Sequence, residues 1–324
     1  MFLYSHSIIA GILLTSAGCI GLLLNVFIVY KIMFERVFGR IFGFIWLSRG
    51  VAHIGESIIF CCVIGPLTFI SIDNLDSIFV QRLVHSVYFF SFAVACFNLL
   101  IAVNRVIMIR KPLLYTSIFT RKKTVIYTGL CWFGGVLVAI PNIIDPCQQT
   151  PLNSDTNFFV RADSCSLFIH YLDVLLVPIV IFTAIAFDGF ALSMLYRLPK
   201  LRRVTSNPVN YETNRQTEMR LCYMILTECV FLIISYASLR LGFLVEQEFF
   251  QFLFTTLLWS TFSIIDAPNV ALLVRDYMSI IHACVFPLTD QSRLIGANPR
   301  VCAVYTARLI TLVRVKSVIL LKVD

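Results

Sequence analysis

Seven stretches of this chain are too long and too apolar to be elements of a water-soluble domain. They lie near 7–30, 41–70, 83–104, 124–144, 167–196, 221–243 and 249–274. Roughly 20 apolar residues are enough to cross a bilayer as a helix. Lipid offers no partner to an unpaired backbone amide, so such stretches close their hydrogen bonds internally as helices. None of them alternates as a barrel strand would. Composition agrees: 59% of the 324 residues are hydrophobic and 14% charged, against about 25% charged in a typical soluble chain. The expectation is an all-α membrane protein, a bundle of seven transmembrane helices near 7–31, 41–70, 80–110, 124–144, 167–197, 218–243 and 249–274. These make one domain over 1–284, followed by a poorly ordered cytoplasmic tail, 285–324.

Charge sets the orientation. All but four of the 26 Lys and Arg fall on alternate connections: Lys31 to Arg40, Arg105 to Lys123, Arg197 to Arg220, and the segment after the last run. The exceptions are Arg49, Arg82, Arg161 and Arg240. The opposite connections carry Asp73, Asp76, Asp145, Asp155, Asp163, Glu246 and Glu248. Basic residues are retained on the cytoplasmic side, so the N-terminus is expected outside and the C-terminus inside. Residues 1–6 hold no Lys or Arg, so the basic leader of a cleavable signal is missing, and the first run reads as an uncleaved anchor. No N-x-Ser/Thr sequon occurs. The net charge of +8 is explained by this asymmetry, and no nucleic-acid partner is expected. The tail segment RLITLVRVKSVILLKV is apolar but broken by Arg308, Arg314, Lys316 and Lys322; an eighth crossing would bury those charges, so a surface-lying or disordered tail is expected.

The third run ends on Asn104 and Arg105, in IAVNRVIMIRKPLLYTSIFT. An arginine at the inner edge of a membrane helix has a plain explanation, because its head group can snorkel into the interface. The surrounding residues add more. The stretch resembles a rhodopsin-like G-protein-coupled receptor, and more narrowly the nematode serpentine chemoreceptors of the Srx class, which resemble I-A-x-N-R followed by a spaced Pro, Tyr and Phe-Thr. FGFIWLSRGVAHIGESIIF, 42–60, is similar to that class's second-helix pattern. Asn25, Trp132 and Pro178 match positions of the first, fourth and fifth helices. IIDAPNVALLVRDYM, 264–278, resembles a seventh-helix Asp/Asn-Pro segment running into a short amphipathic cytoplasmic helix. The resemblance covers roughly 10–285.

What it implies is a chemosensory receptor in the plasma membrane, in sensory cilia by analogy, with an external small-molecule ligand and a heterotrimeric G protein as partners. Asn104, Arg105, Pro112 and Tyr115 would then form the coupling switch, since a guanidinium can hold one set of groups in one packing and a partner peptide in another. The chain departs from the wider pattern in four places. The sixth helix has no proline over 218–243. Asn104 stands where an acidic neighbour of the arginine is usual. No Cys lies at the outer start of the third helix, and Val84, Val87, Tyr88 and Ser91 occupy a stretch where amine receptors carry an Asp.

Ionisable residues inside the runs are the other signal. Arg49, His53 and Glu56 fall at i, i+4 and i+7, on one helical face. An ionised group at mid-depth costs roughly 2.5–3.5 kcal/mol on insertion scales, so these groups need partners. The expected arrangement is a polar hub of Asn25, Arg49, His53, Glu56, Asp266 and Asn269, with Arg49 or His53 paired to Asp266. The simpler alternative has Arg49 and Glu56 neutralising each other. A lone His53 is weak evidence for a pH sensor. Glu228 is expected to face the bundle as a neutral, hydrogen-bonded acid, and Asp188 reads as an isolated carboxylate. Tyr88, Ser91 and Tyr236 are candidates to line the ligand cavity.

Most of the eleven Cys sit in apolar runs as packing residues. Cys147 and Cys165 share the outer stretch 145–166, where a disulfide would contribute roughly 3 kcal/mol in the chain-entropy picture. Cys284 is placed for palmitoylation, with a free thiol as the alternative. No metal-ligand spacing, phosphate loop or nucleophile motif is present, so no cofactor and no enzymatic activity are expected. Two other readings stay open: a neuropeptide receptor of the same fold, and a multi-pass transporter or channel.

Overall fold

In the computed structural model the described residues are 2–35, 40–69, 78–144, 175–197, 208–241 and 248–265. All their regular structure is helical. The first helix runs Phe2–Glu35 and the second begins at Arg40–Ile59, passes through a π-helical turn at Phe60–Ile64 and ends with Gly65–Phe69. The third, fourth, fifth and sixth helices are Ile78–Arg110, Arg121–Ile144, Val177–Arg197 and Pro208–Leu241. The seventh begins as Glu248–Phe252, takes a π-helical turn at Leu253–Leu257 and is described to residue 265. Six of these helices are long and apolar enough to cross a membrane, and Leu253–Ile265 is a shorter apolar helix. The chain is a seven-helix bundle.

The distribution of side chains is inverted relative to a soluble protein. Outward faces carry Leu23, Val26, Phe27, Leu130, Phe133, Ile179 and Phe182, all exposed. Arg49, His53, Glu56, Asn98, Asn104, Arg105, Asp188 and Glu228 are buried. Exposed apolar surface on this scale has no solvent but lipid, whereas charged groups among membrane helices turn toward one another.

The third helix is the central post. Its 33 residues extend about 50 Å at 1.5 Å per residue, well beyond the hydrocarbon core of about 30 Å. It packs against the second, fourth, fifth and sixth helices. Gly135 sets its approach to the fourth helix, since a Cβ there would meet the Phe89 carbonyl oxygen at 2.6 Å. Beside that contact Trp132 stacks on Phe89 at 5.5 Å and meets Phe97 edge-on at 5.5 Å. The first and second helices close up where Gly18 faces the π-helical turn, a Cβ at residue 18 falling 2.5 Å from the Cys61 amide nitrogen. Small residues at such points let backbones come together without a hydrophobic drive between helices.

After Arg110 the chain breaks at Lys111 and re-enters a short helix, Pro112–Ile118. Pro112 opens it, a position where a missing N–H costs nothing. Tyr115 stacks on Phe119 at 5.4 Å and Phe119 meets Tyr127 edge-on at 5.8 Å, which ties the connection to the fourth helix.

Candidate functional site: a buried polar chain and an inner ion pair

Arg49 lies on the second helix at 1% exposure, too deep to reach water. Its Nε donates to the Asn98 Oδ1 of the third helix at 2.8 Å. Its Nη2 forms a close ion pair with the Glu228 carboxylate of the sixth helix. Asn98 Nδ2 completes the triangle by donating to Glu228 Oε1 at 3.1 Å. The indole of Trp46, one turn earlier, lies under the guanidinium at 4.7 Å from the ring centroid, and such a contact favours a desolvated cation.

The polar groups continue along the second helix, away from its Arg40 end. His53 Nε2 stands 3.5 Å from Glu228 Oε1 and Nδ1 3.6 Å from Glu56 Oε2. Both separations are longer than a hydrogen bond, and among the described residues neither imidazole nitrogen has a hydrogen-bond partner. Glu56 Oε1 accepts from Ser91 Oγ at 2.6 Å and from Trp259 Nε1 at 3.0 Å. The Trp259 N–H also points at Ser91 Oγ, 3.1 Å away. Tyr88 packs edge-on against the Trp259 ring at 5.2 Å. Four helices thus contribute to one buried run of polar groups, with His53 standing between its two hydrogen-bonded clusters. Asn25 ties the first helix to the seventh by donating to the Gly21 and Ser263 carbonyls, each at 2.8 Å.

A separate polar site lies nearer the Arg110 end of the third helix. Arg105 and Asp188 are both at 0% exposure, with Nη1 and Oδ1 3.9 Å apart. Among the described residues, none of the guanidinium nitrogens and neither Asp188 oxygen has a hydrogen-bond partner, and the same holds for the Asn104 amide. The Phe42 ring stands 5.9 Å from the guanidinium carbon. Val106, Ala191, Leu192, Leu195 and Cys222 form the apolar core that the third, fifth and sixth helices share at this end. Arg105 is not an interface anchor reaching water; it is interior.

Arg49, His53 and Glu56 all face inward, and Arg49 and Glu56 do not neutralise each other. Glu228 is corrected from a neutral acid to the partner of Arg49, and Asp188 from an isolated carboxylate to the partner of Arg105. Helical periodicity shows which face a residue occupies but not which helix stands opposite. Asp266 and Asn269 lie outside the described residues, as do Cys147, Cys165, Cys284, the short helix expected after the seventh and the tail. Tyr88 and Ser91 meet at Trp259 and Glu56, while Tyr236 is half-buried on the sixth helix. The sequence reading missed Asn98 and Trp259. Trp259, one of only three Trp and set in a run bearing Ser and Thr, was the available signal; Asn98, a lone amide in an otherwise apolar stretch, was the other. Among the described residues no group of His, Cys, Asp and Glu is arranged to hold a metal ion.

Apolar helices that turn their charges inward and join them across the bundle define a multi-pass, seven-helix membrane protein. The chain belongs to the serpentine type 7TM GPCR chemoreceptor Srx family, whose model matches residues 16–270. That match spans both polar sites. No curated protein matches the chain.

Proposed function

We propose that this chemoreceptor-family protein binds an external small molecule within the bundle and passes the event to a heterotrimeric G protein inside the cell, at the plasma membrane. The observation that carries the reading is the run of buried polar groups from Trp259, Ser91 and Glu56 to Glu228, Arg49 and Asn98, two hydrogen-bonded clusters with His53 standing 3.5–3.6 Å from each. It joins the second, third, sixth and seventh helices, so a change in their packing at one depth alters pairings at another. A ligand seated beside Tyr88, Ser91 and Trp259 shifts the balance between two packings only by its difference in affinity for them. At the cytoplasmic end, a change of packing that uncovers the buried Asn104 and Arg105 beside the Pro112–Ile118 helix with Tyr115 would form the surface that a G protein reads.

The test is a ligand screen with a calcium or cyclic-nucleotide readout, in cells supplied with promiscuous G proteins. An active compound should give a response that Arg105→Ala abolishes at unchanged surface level. A response that survives Arg105→Ala, or ligand-gated current in cells without G proteins, would favour a different output.

A further inference from the structure

We propose that Cys19 of the first helix and Cys61 of the second are a redox modification site, a pair of thiols that an organic hydroperoxide dissolved in the bilayer closes into a disulfide. The inference does not depend on ligand binding or on a G protein. The two sulfurs lie 3.0 Å apart although the residues are 42 positions apart in the chain. That separation is about 1 Å more than an S–S bond of about 2.05 Å. Both thiols are free and half-buried.

The backbone places them. Cys61 sits in the π-helical turn Phe60–Ile64. Such turns interrupt α-helices as single widened turns with i→i+5 bonds, so Cys61 leaves the second helix at an angle the regular spiral would not give it. Gly18, beside Cys19, puts no side chain between the helices: a Cβ there would stand 2.5 Å from the Cys61 amide nitrogen and 2.9 Å from its Cβ. Gly65, just past the π-helical turn, is covered as tightly, since a Cβ there would run into Thr15 Oγ1. Two close approaches bracket the thiols, so their meeting follows from helix packing and not from one side-chain rotamer.

The surroundings select the oxidant. Both cysteines lie within the crossing segments Ile8–Phe34 and Ile41–Thr68, and the neighbouring Cys62 is exposed. A charged oxidant such as oxidised glutathione is excluded from hydrocarbon, whereas an uncharged hydroperoxide dissolves in it. One thiol sulfur attacks the terminal peroxide oxygen and the O–O bond breaks. The thiol proton leaves with the alkoxide as an alcohol, and a sulfenic acid remains. The second thiol attacks that sulfur, the S–O bond breaks, and its proton leaves with the hydroxide as water. The peroxide gains two electrons and the two thiols lose two. A sulfenic acid with a thiol beside it condenses in this way. The bond fixes the first helix to a part of the second that lies just beyond Glu56, and so restrains the segment that meets Trp259.

The test uses the full chain in lipid nanodiscs, reduced with an uncharged phosphine and then exposed to cumene hydroperoxide. Mass spectrometry of unreduced peptides should show Cys19 joined to Cys61, with the loss of two hydrogens, in the wild type and in Cys62→Ser. Cys19→Ser and Cys61→Ser should show no such link. A cross-link over this span restricts the unfolded chain, so closure should raise the melting temperature by about 5 °C or more, reversibly with reductant, and leave Cys19→Ser unmoved. Oxidised glutathione should leave the pair reduced. Unchanged thiols or sulfinic acids at Cys19 and Cys61, or a link from Cys19 to Cys62 instead, would overturn the site; these are read on the wild-type chain, so a serine variant that fails to fold does not shield it. Closure by oxidised glutathione as readily as by the hydroperoxide would overturn the membrane-dissolved oxidant. An unmoved melting temperature after full closure would overturn the restraint between the helices.

Discussion

Arg49 and Glu228 are each 1% exposed, and at that depth an ion pair is defined as much by what its loss would leave behind as by its attraction. Removing one partner of a buried pair costs about 3–5 kcal/mol, because the other charge remains, whereas replacing both with apolar side chains of similar size is often neutral. Arg49→Met and Glu228→Met should therefore each lower the melting temperature of the purified protein, and the double variant should melt above both. Additive losses in that cycle would show that the two charges are not coupled. Trp259 makes a different kind of contribution. Trp259→Phe keeps a ring against Tyr88 but deletes the N–H shared by Glu56 and Ser91. A hydrogen bond to a charged group is worth about 1.5–3 kcal/mol, so thermal denaturation should show a loss of that order with the helical content unchanged.

At the scale of helices, the close approaches are set by glycines whose environments differ sharply. A Cβ at Gly18 would stand 2.5 Å from the Cys61 amide nitrogen, backbone that cannot swing aside, while Gly129 and Gly189 have nothing within 4 Å. Gly18→Ala should destabilise by about 1–3 kcal/mol, as overpacking does. Gly129→Ala and Gly189→Ala should instead stabilise by about 0.5–1 kcal/mol, since alanine restricts the unfolded chain and suits a helix interior. Melting curves of the three variants check the contrast, and equal effects at all three would refute it. The same elements show what a sequence can and cannot convey. The helices were legible because each is one contiguous run, and lipid enforces its hydrogen bonding locally. The inward stripe of Arg49, His53 and Glu56 was legible because three positions on one helix fix a face. Pairing was not: Arg49 lies 179 residues from Glu228, and Arg105 lies 83 residues before Asp188. Those meetings depend on which helices stand side by side and at what axial offset, and local periodicity carries no trace of either.

For the whole molecule, one asymmetry governs stability and another governs orientation. The interior is polar along a path and the exterior apolar, so the membrane is the medium in which this fold has its minimum. That inversion is indifferent to which way up the bundle sits, and the loops settle the matter. Arg110, Lys111, Arg121, Lys122 and Lys123 cluster at the end of the bundle that holds the Arg105–Asp188 pair. Basic residues resist translocation, so that end should be cytoplasmic, which is where the proposed G-protein contact would lie. The Trp259–Glu56 end should open outward, which is where an external cue arrives. Epitope tags placed at residue 155 and at residue 204, in the two connections the sequence assigns to opposite sides, test this directly. The first should be stained on intact cells and the second only after permeabilisation. The reverse pattern would put the polar path's outer aromatics in the cytoplasm and Arg105 outside, and no external ligand or internal G protein could then use the sites as described.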